Sequence, residues 1–225
     1  MANTSSHVLL VEGEGDRGFF EQVCKLLILN PEIQVAIPKD CQGWRNAKPG
    51  IIERLPILLK DIEDGKLEHL AIVIDADFEQ YNEGCQKTIK KISEIVETHG
   101  FALAKNQEKG LYFTHNDGFA DIGLWIMPNN QDEGMLENFI KQCVKADEQS
   151  LFNHAMQTIQ NLPVPKKFKP HHDTKAEIAT WLAWQRKPGH GLYHVLCDDL
   201  LIDTNNALFQ ELEQWLKNIF PNSSN

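Results

Sequence analysis

The chain has 225 residues, a formal net charge of −10 at pH 7, 42% hydrophobic residues and 24% charged residues. This length and hydrophobic content suffice for one large folded domain or for a domain with a helical appendage. The negative charge excludes a protein that holds nucleic acid by overall basicity, but not an enzyme whose acidic site is neutralised by a divalent cation.

The cysteines and the hydropathy of the chain indicate its compartment. The five cysteines are scattered, with an odd total and no C-x-x-C spacing, which is typical of reduced thiols and not of disulfides or zinc sites. Segment 1–15 lacks the basic region and long apolar run of a signal peptide. No apolar stretch reaches the length of a membrane span. We therefore expect a cytoplasmic protein without membrane association.

The amino-terminal half alternates between apolar runs that predict strands and amphipathic segments that predict helices. Strands are predicted at 7–11, 33–37 and 70–74. The last of these, LAIVI, is apolar without alternation, as expected of a strand covered on both faces. Helices are predicted after the first strand, at 51–62 and at about 85–98. A loop is predicted at 41–50, and Pro56 predicts a kink or a break within the second helix.

The second half of the chain continues the alternation and then changes character. Segment 101–127 predicts two or three strands, including 122–127, and helices are predicted at 135–144 and 149–161. This order predicts a three-layer α/β fold with a central, mainly parallel sheet. We assign residues 1–162 to the α/β domain and residues 163–225 to a C-terminal helical extension packed on it.

A basic, proline-rich connector, PVPKKFKPHH, opens the C-terminal extension. It leads into a predicted helix with Asp173 or Thr174 as its N-cap, and a further helix is predicted at 207–220. The connector contains the densest basic run of an otherwise acidic chain, formed by Lys166, Lys167 and Lys169. We expect these lysines to contact a phosphate backbone.

The stretch HVLLVEGEGDRGFF contains a loop with three possible roles: a pyrophosphate site, a metal site or a simple turn. Its glycines have the spacing G-x-G-x-x-G after an apolar run: Gly13, Gly15 and Gly18. In a dinucleotide site such a loop meets a pyrophosphate, and Asp40 stands where a ribose-binding acid is expected. The same loop, however, carries three carboxylates that would repel a pyrophosphate: Glu12, Glu14 and Asp16. A third reading is that the glycines only form a tight turn between strand and helix.

A second acidic motif favours a metal ion. Asp75 and Asp77 directly follow the apolar strand 70–74, and Glu12 directly follows strand 7–11. The carboxyl ends of parallel strands share one edge of a sheet, and residues two apart on an extended segment point the same way. Carboxylate oxygens suit Mg²⁺ or Mn²⁺. The sequence therefore predicts a metal site at this edge, although strand-end aspartates also serve simply as loop caps.

The motifs LLVEGEGD and IVIDADFE resemble the Toprim domain of bacterial primases, topoisomerases and OLD-type nucleases. The family pattern is a glutamate and a glycine after the first strand, matched by Glu12 and Gly13, and a D-x-D after a later strand, matched by Asp75 and Asp77. The resemblance covers roughly residues 7–145. The whole chain is also similar to small stand-alone Toprim-like bacterial proteins of unknown function. It contains no ATPase segment of the OLD type and no zinc or helicase-binding region of the primase type.

The resemblance implies further site residues. Asp16, four residues after Glu12, matches a second acid of the OLD-type nucleases. Glu137 falls where those enzymes supply another acidic ligand, although a glutamate in a first helical turn is also favoured by the helix dipole. Lys175 matches the lysine that they place beside the scissile phosphate; the alternative is an ordinary exposed helix lysine.

The expected function is metal-dependent hydrolysis of nucleic acid phosphodiesters, or a related phosphoryl transfer, with Mg²⁺ or Mn²⁺ as cofactor. Glu12 would act as a metal ligand or as general base, and Lys175 would offset charge in the transition state. DNA or RNA is the expected partner, and a homo-oligomer or a protein partner is left open. Two alternatives stay open: a partner-dependent binding or defence module, and a phosphatase that acts on small nucleotides.

Overall fold

The structure is a computed structural model that describes residues 6–36, 48–104, 110–197 and 200–221. Three sequence predictions lie wholly or partly outside these ranges: the role of Asp40, most of the loop at 41–50, and the last residue of the strand at 33–37.

Within the part of the chain that the structure describes, six strands form one sheet in the order β2-β1-β3-β6-β5-β4. The strands are β1 (His7–Val11), β2 (Glu32–Val35), β3 (His69–Asp75), β4 (Phe101–Leu103), β5 (Leu111–His115) and β6 (Ile122–Met127). The pairs β2·β1, β1·β3 and β3·β6 are parallel. The strands β5 and β4 add an antiparallel edge. The predicted α/β class with a mainly parallel sheet is confirmed.

In the described ranges, seven helices cover the two faces of the sheet. They are α1 (Glu14–Leu27), α2 (Lys48–Glu63), α3 (Cys85–Glu97), α4 (Leu136–Cys143), α5 (Gln149–Gln160), α6 (Asp173–Ala183) and α7 (Ala207–Ile219). The apolar residues of α2 and α3 pack on one face, and those of α1 and α4 to α7 pack on the other. The strands are therefore buried on both faces, which explains why β3 and β6 are apolar without alternation.

The C-terminal part of the chain contributes directly to the core. Trp215 of α7 is fully buried, and its ring centroid lies 5.6 Å from that of Trp125 on β6. In α6, Trp181 is also fully buried, and its indole Nε1 donates a hydrogen bond to Glu148 Oε2 at 2.9 Å. No helix in the described ranges is both long and apolar enough to cross a membrane.

Two predictions of local structure were wrong, the loop at 48–50 and the N-cap of α6. Helix α2 begins at Lys48, within the predicted loop, and Pro56 lies inside this helix and does not divide it. Asp173 is the first residue of α6 and not its N-cap, and no side chain caps this helix. The carboxylate of Asp173 instead accepts hydrogen bonds from Lys166 Nζ at 2.9 and 3.0 Å. The backbone of Asp173 is helical, with φ −55° and ψ −48°, because the 3-10 turn Pro170–His172 continues directly into α6.

Candidate metal centre

The carboxyl ends of β1 and β3 bring Glu12 and Asp75 together. The two strands are parallel neighbours in which Leu10 pairs with Ile72, so both strands end at the same edge of the sheet. Asp75 is the last residue of β3, and its backbone N–H donates to Glu12 Oε2 at 3.1 Å. The two residues are 63 positions apart in sequence, and it is the strand pairing that makes them neighbours.

Helices α1 and α4 add two more carboxylates to this edge. Asp16 lies in the first turn of α1, directly after the strand-to-helix turn. The backbone N–H of Leu136, the first residue of α4, donates to Asp75 Oδ1 at 3.1 Å. The next residue, Glu137, is buried in the first turn of α4. The structure therefore groups Glu12, Asp16, Asp75 and Glu137, which we call the acidic cluster.

Asp77 lies at the border of the acidic cluster and is held by its backbone. Its φ of 58° is in the left-handed region, which few residue types other than glycine, asparagine and aspartate adopt readily. Its backbone exchanges two hydrogen bonds with Gly134, of 2.9 and 3.0 Å. The carboxylate is 36% exposed and lies 2.8 Å from Lys48 Nζ. Asp77 is therefore already paired with a cation of the protein itself.

Burial and mutual repulsion make the acidic cluster costly to ionise. The pKa of Glu12 is raised from its usual 4.5 to about 7, chiefly by burial and also by the charges of Asp77 and Asp16, against the opposing effects of the hydrogen bond from the Asp75 N–H and of Lys48. Burial and Glu137 raise the pKa of Asp16 to about 6. The pKa of Asp75 is raised well above its usual range by burial and by its acidic neighbours. Such a cluster gains stability from any cation that enters it.

Lys175 faces the acidic cluster from α6. Its Nζ lies 3.8 Å from Glu137 Oε1, and its side chain is 46% exposed. Partial burial lowers the pKa of Lys175, but the charges of Glu137, Asp75, Asp16 and Glu12 outweigh this effect and the net pKa is raised. The ammonium group of Lys175 thus lies beside the acidic cluster, and the side chain is partly exposed to solvent.

Lys48 is the residue of this region that sequence reasoning missed. It is buried at the start of α2, and its Nζ donates to Ala76 O at 2.9 Å in addition to the contact with Asp77. In sequence, Lys48 is separated from Ala76 by 28 positions and from Thr88 by 40 positions. No local motif surrounds Lys48, so the burial of a lysine beside the D-x-D motif was not readable from the sequence.

The acidic cluster offers carboxylate oxygens, which are the type of ligand atom that Mg²⁺ and Mn²⁺ prefer. Among the residues that the structure describes, no three members of the cluster bring one carboxylate oxygen each within 4.8 Å of one another. Mg²⁺ commonly binds to proteins through one or two carboxylates and keeps several of its waters. The pair formed by Glu12 and Asp75, supplemented by Asp16 and Glu137, therefore suits such an ion better than a site closed by protein ligands.

The basic connector reaches the rim of the acidic cluster. Lys166 is engaged by Asp173, whereas Lys167 and Lys169 are exposed. At the end of the connector, the ring of His171 lies 4.4 Å from that of Tyr81 and 6.0 Å from that of Phe78, just after Asp77. The structure thus joins the basic run to the loop that carries Asp77.

Two glycines of the G-x-G-x-x-G motif, Gly15 and Gly18, pack against another segment of the chain. Gly13 precedes α1 as its N-cap, and Gly15 and Gly18 lie within the helix. A β-carbon at Gly15 would lie 3.6 Å from Leu192, and one at Gly18 would lie 3.5 Å from Tyr193. Both neighbours belong to the 3-10 turn Leu192–Leu196. The chain itself therefore occupies the space beside these two glycines, where a pyrophosphate would have had to approach them.

The fold and this edge define a class: a three-layer α/β protein with a carboxylate cluster at the carboxyl ends of two central parallel strands. The chain belongs to the family described as protein of unknown function (DUF3226), whose model matches residues 6–221. No curated protein and no solved structure matches the chain significantly.

Proposed function

We propose that the protein is a Toprim-like, Mg²⁺- or Mn²⁺-dependent phosphodiesterase of the nuclease class, related to OLD-type nucleases. The observation that carries the proposal is the acidic cluster itself: Glu12, Asp16 and Asp75 are held so close together that burial and repulsion raise the pKa of each. A fold gains nothing from such crowding alone. Buried carboxylates with strongly perturbed pKa values are typical of sites that bind cations or transfer protons.

The residues of the site have distinct tasks in this proposal. A bound Mg²⁺ or Mn²⁺ would activate water and stabilise the oxygen that leaves. Glu12 and Asp75 would hold the ion from the two strand ends, and Asp16 and Glu137 would supply further charge. Alternatively, Glu12 would act as general base and accept a proton from the attacking water. Lys175, half-exposed and 3.8 Å from Glu137, would contact the phosphate.

The basic connector supports nucleic acid as the substrate. Lys167 and Lys169 are exposed on the segment that leads to the site, and they would contact phosphates outside the one that is cleaved. A net charge of −10 means that such binding would be local and dependent on this segment. The buried thiols of Cys24, Cys85 and Cys143 are consistent with a cytoplasmic location, which we include in the proposal.

A second candidate substrate is a small nucleotide. A cavity of about 520 Å³ lies between α2 and α3. It is lined by Lys48, Lys91 and Thr88, by apolar side chains that include Ile52 and Ile92, and by three glutamates, Glu53, Glu83 and Glu94. Mostly apolar pockets with a few polar groups are typical of small-molecule sites. Because Lys48 also contacts Asp77, a ligand in this cavity would lie beside the acidic cluster.

The test is cleavage by purified protein in the presence of Mn²⁺. Labelled single-stranded DNA, nicked plasmid, RNA and mononucleotides are the substrates. We expect cleavage of a polynucleotide by the wild type and a loss of at least about a hundredfold in the Asp75→Asn variant, since an oxygen of the metal site is replaced by an amide. The matched control is Asp117→Asn, which changes an exposed aspartate outside the acidic cluster. This variant should cleave at the rate of the wild type.

Each result separates the candidates. Release of phosphate from mononucleotides, with polynucleotides left intact, would favour the phosphatase. Equal cleavage by Asp75→Asn and the wild type would remove the acidic cluster from the reaction. If the wild type binds Mn²⁺ yet cleaves none of these substrates, the proposal that the isolated chain is catalytic is wrong. The partner-dependent binding module then becomes the preferred function.

A further inference from the structure

A second group of metal-binding side chains lies at the opposite edge of the sheet. His7 is the first residue of β1 and His69 is the first residue of β3, and the two are paired directly in the parallel register. Residues paired in this way project their side chains from the same face. Glu68 immediately precedes His69. This edge holds the amino ends of the strands, so the group is separated from the acidic cluster by the length of the strands.

The three side chains are close to one another. One ligand atom from each lies within 4.8 Å of the other two, which holds for no other set of three His, Cys, Asp or Glu residues in the described part of the chain. The imidazole centroids are 4.8 Å apart with an interplanar angle of 80°, and His7 Nε2 lies 3.7 Å from Glu68 Oε2. Around Zn²⁺, ligand atoms at about 2.1 Å from the ion would be roughly 3.4 Å apart. Metal binding would therefore require the side chains to rotate until their ligand atoms are about 1 Å closer.

The backbone beneath this group is fixed. The carbonyl oxygen of Ser6 accepts hydrogen bonds from the N–H groups of Glu68 and His69, at 2.8 and 3.0 Å. The residue before each histidine is therefore tied to the other strand. Rigid strands lower the entropic cost of gathering ligands around an ion.

We propose that His7, Glu68 and His69 bind a transition-metal ion of the Zn²⁺ type. Two imidazoles and one carboxylate are a donor set that Zn²⁺, Co²⁺ and Ni²⁺ prefer, whereas Mg²⁺ favours oxygen ligands alone. Three protein ligands leave one tetrahedral position for water or for another donor. The bound ion joins the amino ends of β1 and β3 across the centre of the sheet and so stabilises the folded chain. This site does not depend on the proposed nuclease activity.

The test is metal binding by the untagged full chain, because a polyhistidine tag would bind the same ions. In excess Mg²⁺, which would occupy the acidic cluster, we expect one equivalent of Zn²⁺ by isothermal titration calorimetry, a rise in melting temperature, and visible absorption of bound Co²⁺ typical of tetrahedral coordination. His7→Gln and His69→Gln should each weaken binding by at least about tenfold, since loss of a ligand should cost no less than loss of an outer-shell partner. The double variant should show neither the Co²⁺ absorption nor the thermal shift.

Two controls locate the site. His99 forms an ion pair with Glu63 and is not part of the proposed site. His99→Gln should therefore leave Zn²⁺ binding unchanged. Asp75→Asn should also leave it unchanged, because the acidic cluster is at the other edge. NMR of the wild type adds a measurement that needs no variant: Zn²⁺ should shift the imidazole nitrogens of His7 and His69. Unshifted imidazoles, or equal Zn²⁺ affinity in the wild type and the double variant, would overturn the proposal.

Discussion

At the scale of single residues, Lys48 controls the charge beside the acidic cluster. Its Nζ lies 2.8 Å from Asp77 Oδ2 and 3.5 Å from Glu83 Oε2, and only 9% of its side chain is exposed. A buried ammonium group is stable only when it is paired, and removal of one partner of such a pair is costly. Lys48 therefore competes with any metal ion for the carboxylate of Asp77.

We predict that Lys48→Met destabilises the metal-free protein by about 1–3 kcal/mol, a loss moderated by the partial exposure of Asp77. The same variant should show a larger rise in melting temperature with Mn²⁺ than the wild type, because Asp77 becomes available to the ion. Differential scanning calorimetry with and without Mn²⁺ measures both effects. Lys91→Met is the matched control, since Lys91 also contacts Glu83 but is more exposed. Identical Mn²⁺ responses in Lys48→Met and the wild type would contradict this prediction.

Glu12 should make the stability of the metal-free protein depend on pH. Burial raises the pKa of Glu12 from 4.5 to about 7, so between these values the folded chain binds more protons than the unfolded chain. The free energy of unfolding should therefore fall as the pH rises from about 4.5 to about 7, by an amount on the order of 1–3 kcal/mol. Urea unfolding across this range measures the slope.

Glu12→Gln should flatten this pH dependence, because its amide does not ionise. Glu94→Gln changes an exposed glutamate of α3 and should keep the wild-type slope. Mn²⁺ should oppose the destabilisation near pH 7 in the wild type, since the ion competes with protons for the same carboxylate. A slope in Glu12→Gln as steep as that of the wild type would assign the effect to other groups.

At the scale of elements, helix α7 closes one face of the sheet through contact with β6. The close approach depends on Gly123: a β-carbon there would lie 2.7 Å from Ile219 Cγ1 and 2.9 Å from Trp215 Cζ2. Both of these side chains are buried against the sheet. Gly123 lies on the strand next to β3, so the position of α7 is coupled to the strand that carries Asp75.

We predict that Gly123→Ala destabilises the protein by about 1–3 kcal/mol, the usual cost of an added carbon atom in a filled core. Gly15→Ala is the matched control. Its added carbon would make an ordinary contact of 3.6 Å within a helix, where alanine is favoured over glycine by up to about 1 kcal/mol. Chemical denaturation should therefore show a loss for Gly123→Ala and none for Gly15→Ala. Equal stability of the two variants would mean that α7 moves away from β6 at little cost.

At the scale of the whole molecule, the two edges of the sheet carry different chemistry. The carboxyl edge has oxygen donors of the acidic cluster, and the amino edge has the imidazoles of His7 and His69. The parallel core between them is apolar and covered on both faces. Ions bound at either edge would act on the same folding equilibrium, which allows both sites to be followed by thermal unfolding.

We predict that Mn²⁺ stabilises the wild type and that the combined change Asp75→Asn and Asp77→Asn removes this response. An ion at a hundred times its dissociation constant stabilises the folded state by about 2.7 kcal/mol. Without metal, two effects on the melting temperature of the variant oppose each other: relief of the repulsion around Asp75 raises it, and loss of the Asp77 charge beside buried Lys48 lowers it. Asparagine also tolerates the left-handed backbone at Asp77. A full Mn²⁺ response in this variant would place the ion elsewhere.

The sequence by itself determined the α/β class, the sheet elements and the edge on which the acidic residues lie. The strand LAIVI predicted a core covered on both faces, and strand ends followed directly by Glu12 and Asp75 predicted that these residues share the carboxyl edge. These inferences hold because hydrophobic periodicity is a local property of a segment, and because strands that alternate with helices along the chain lie parallel in the sheet. The assignment of the site to Toprim-like metal chemistry remains a proposal.

Only the tertiary structure decided which side chains meet. The strand order paired His7 with His69, the fold of α2 buried Lys48 beside Asp77, and the start of α4 placed the Leu136 N–H against Asp75. Each of these outcomes is set by packing between segments remote in sequence, or by competition among several partners for one charged group. Those energies depend on distance and burial, which a linear sequence does not contain.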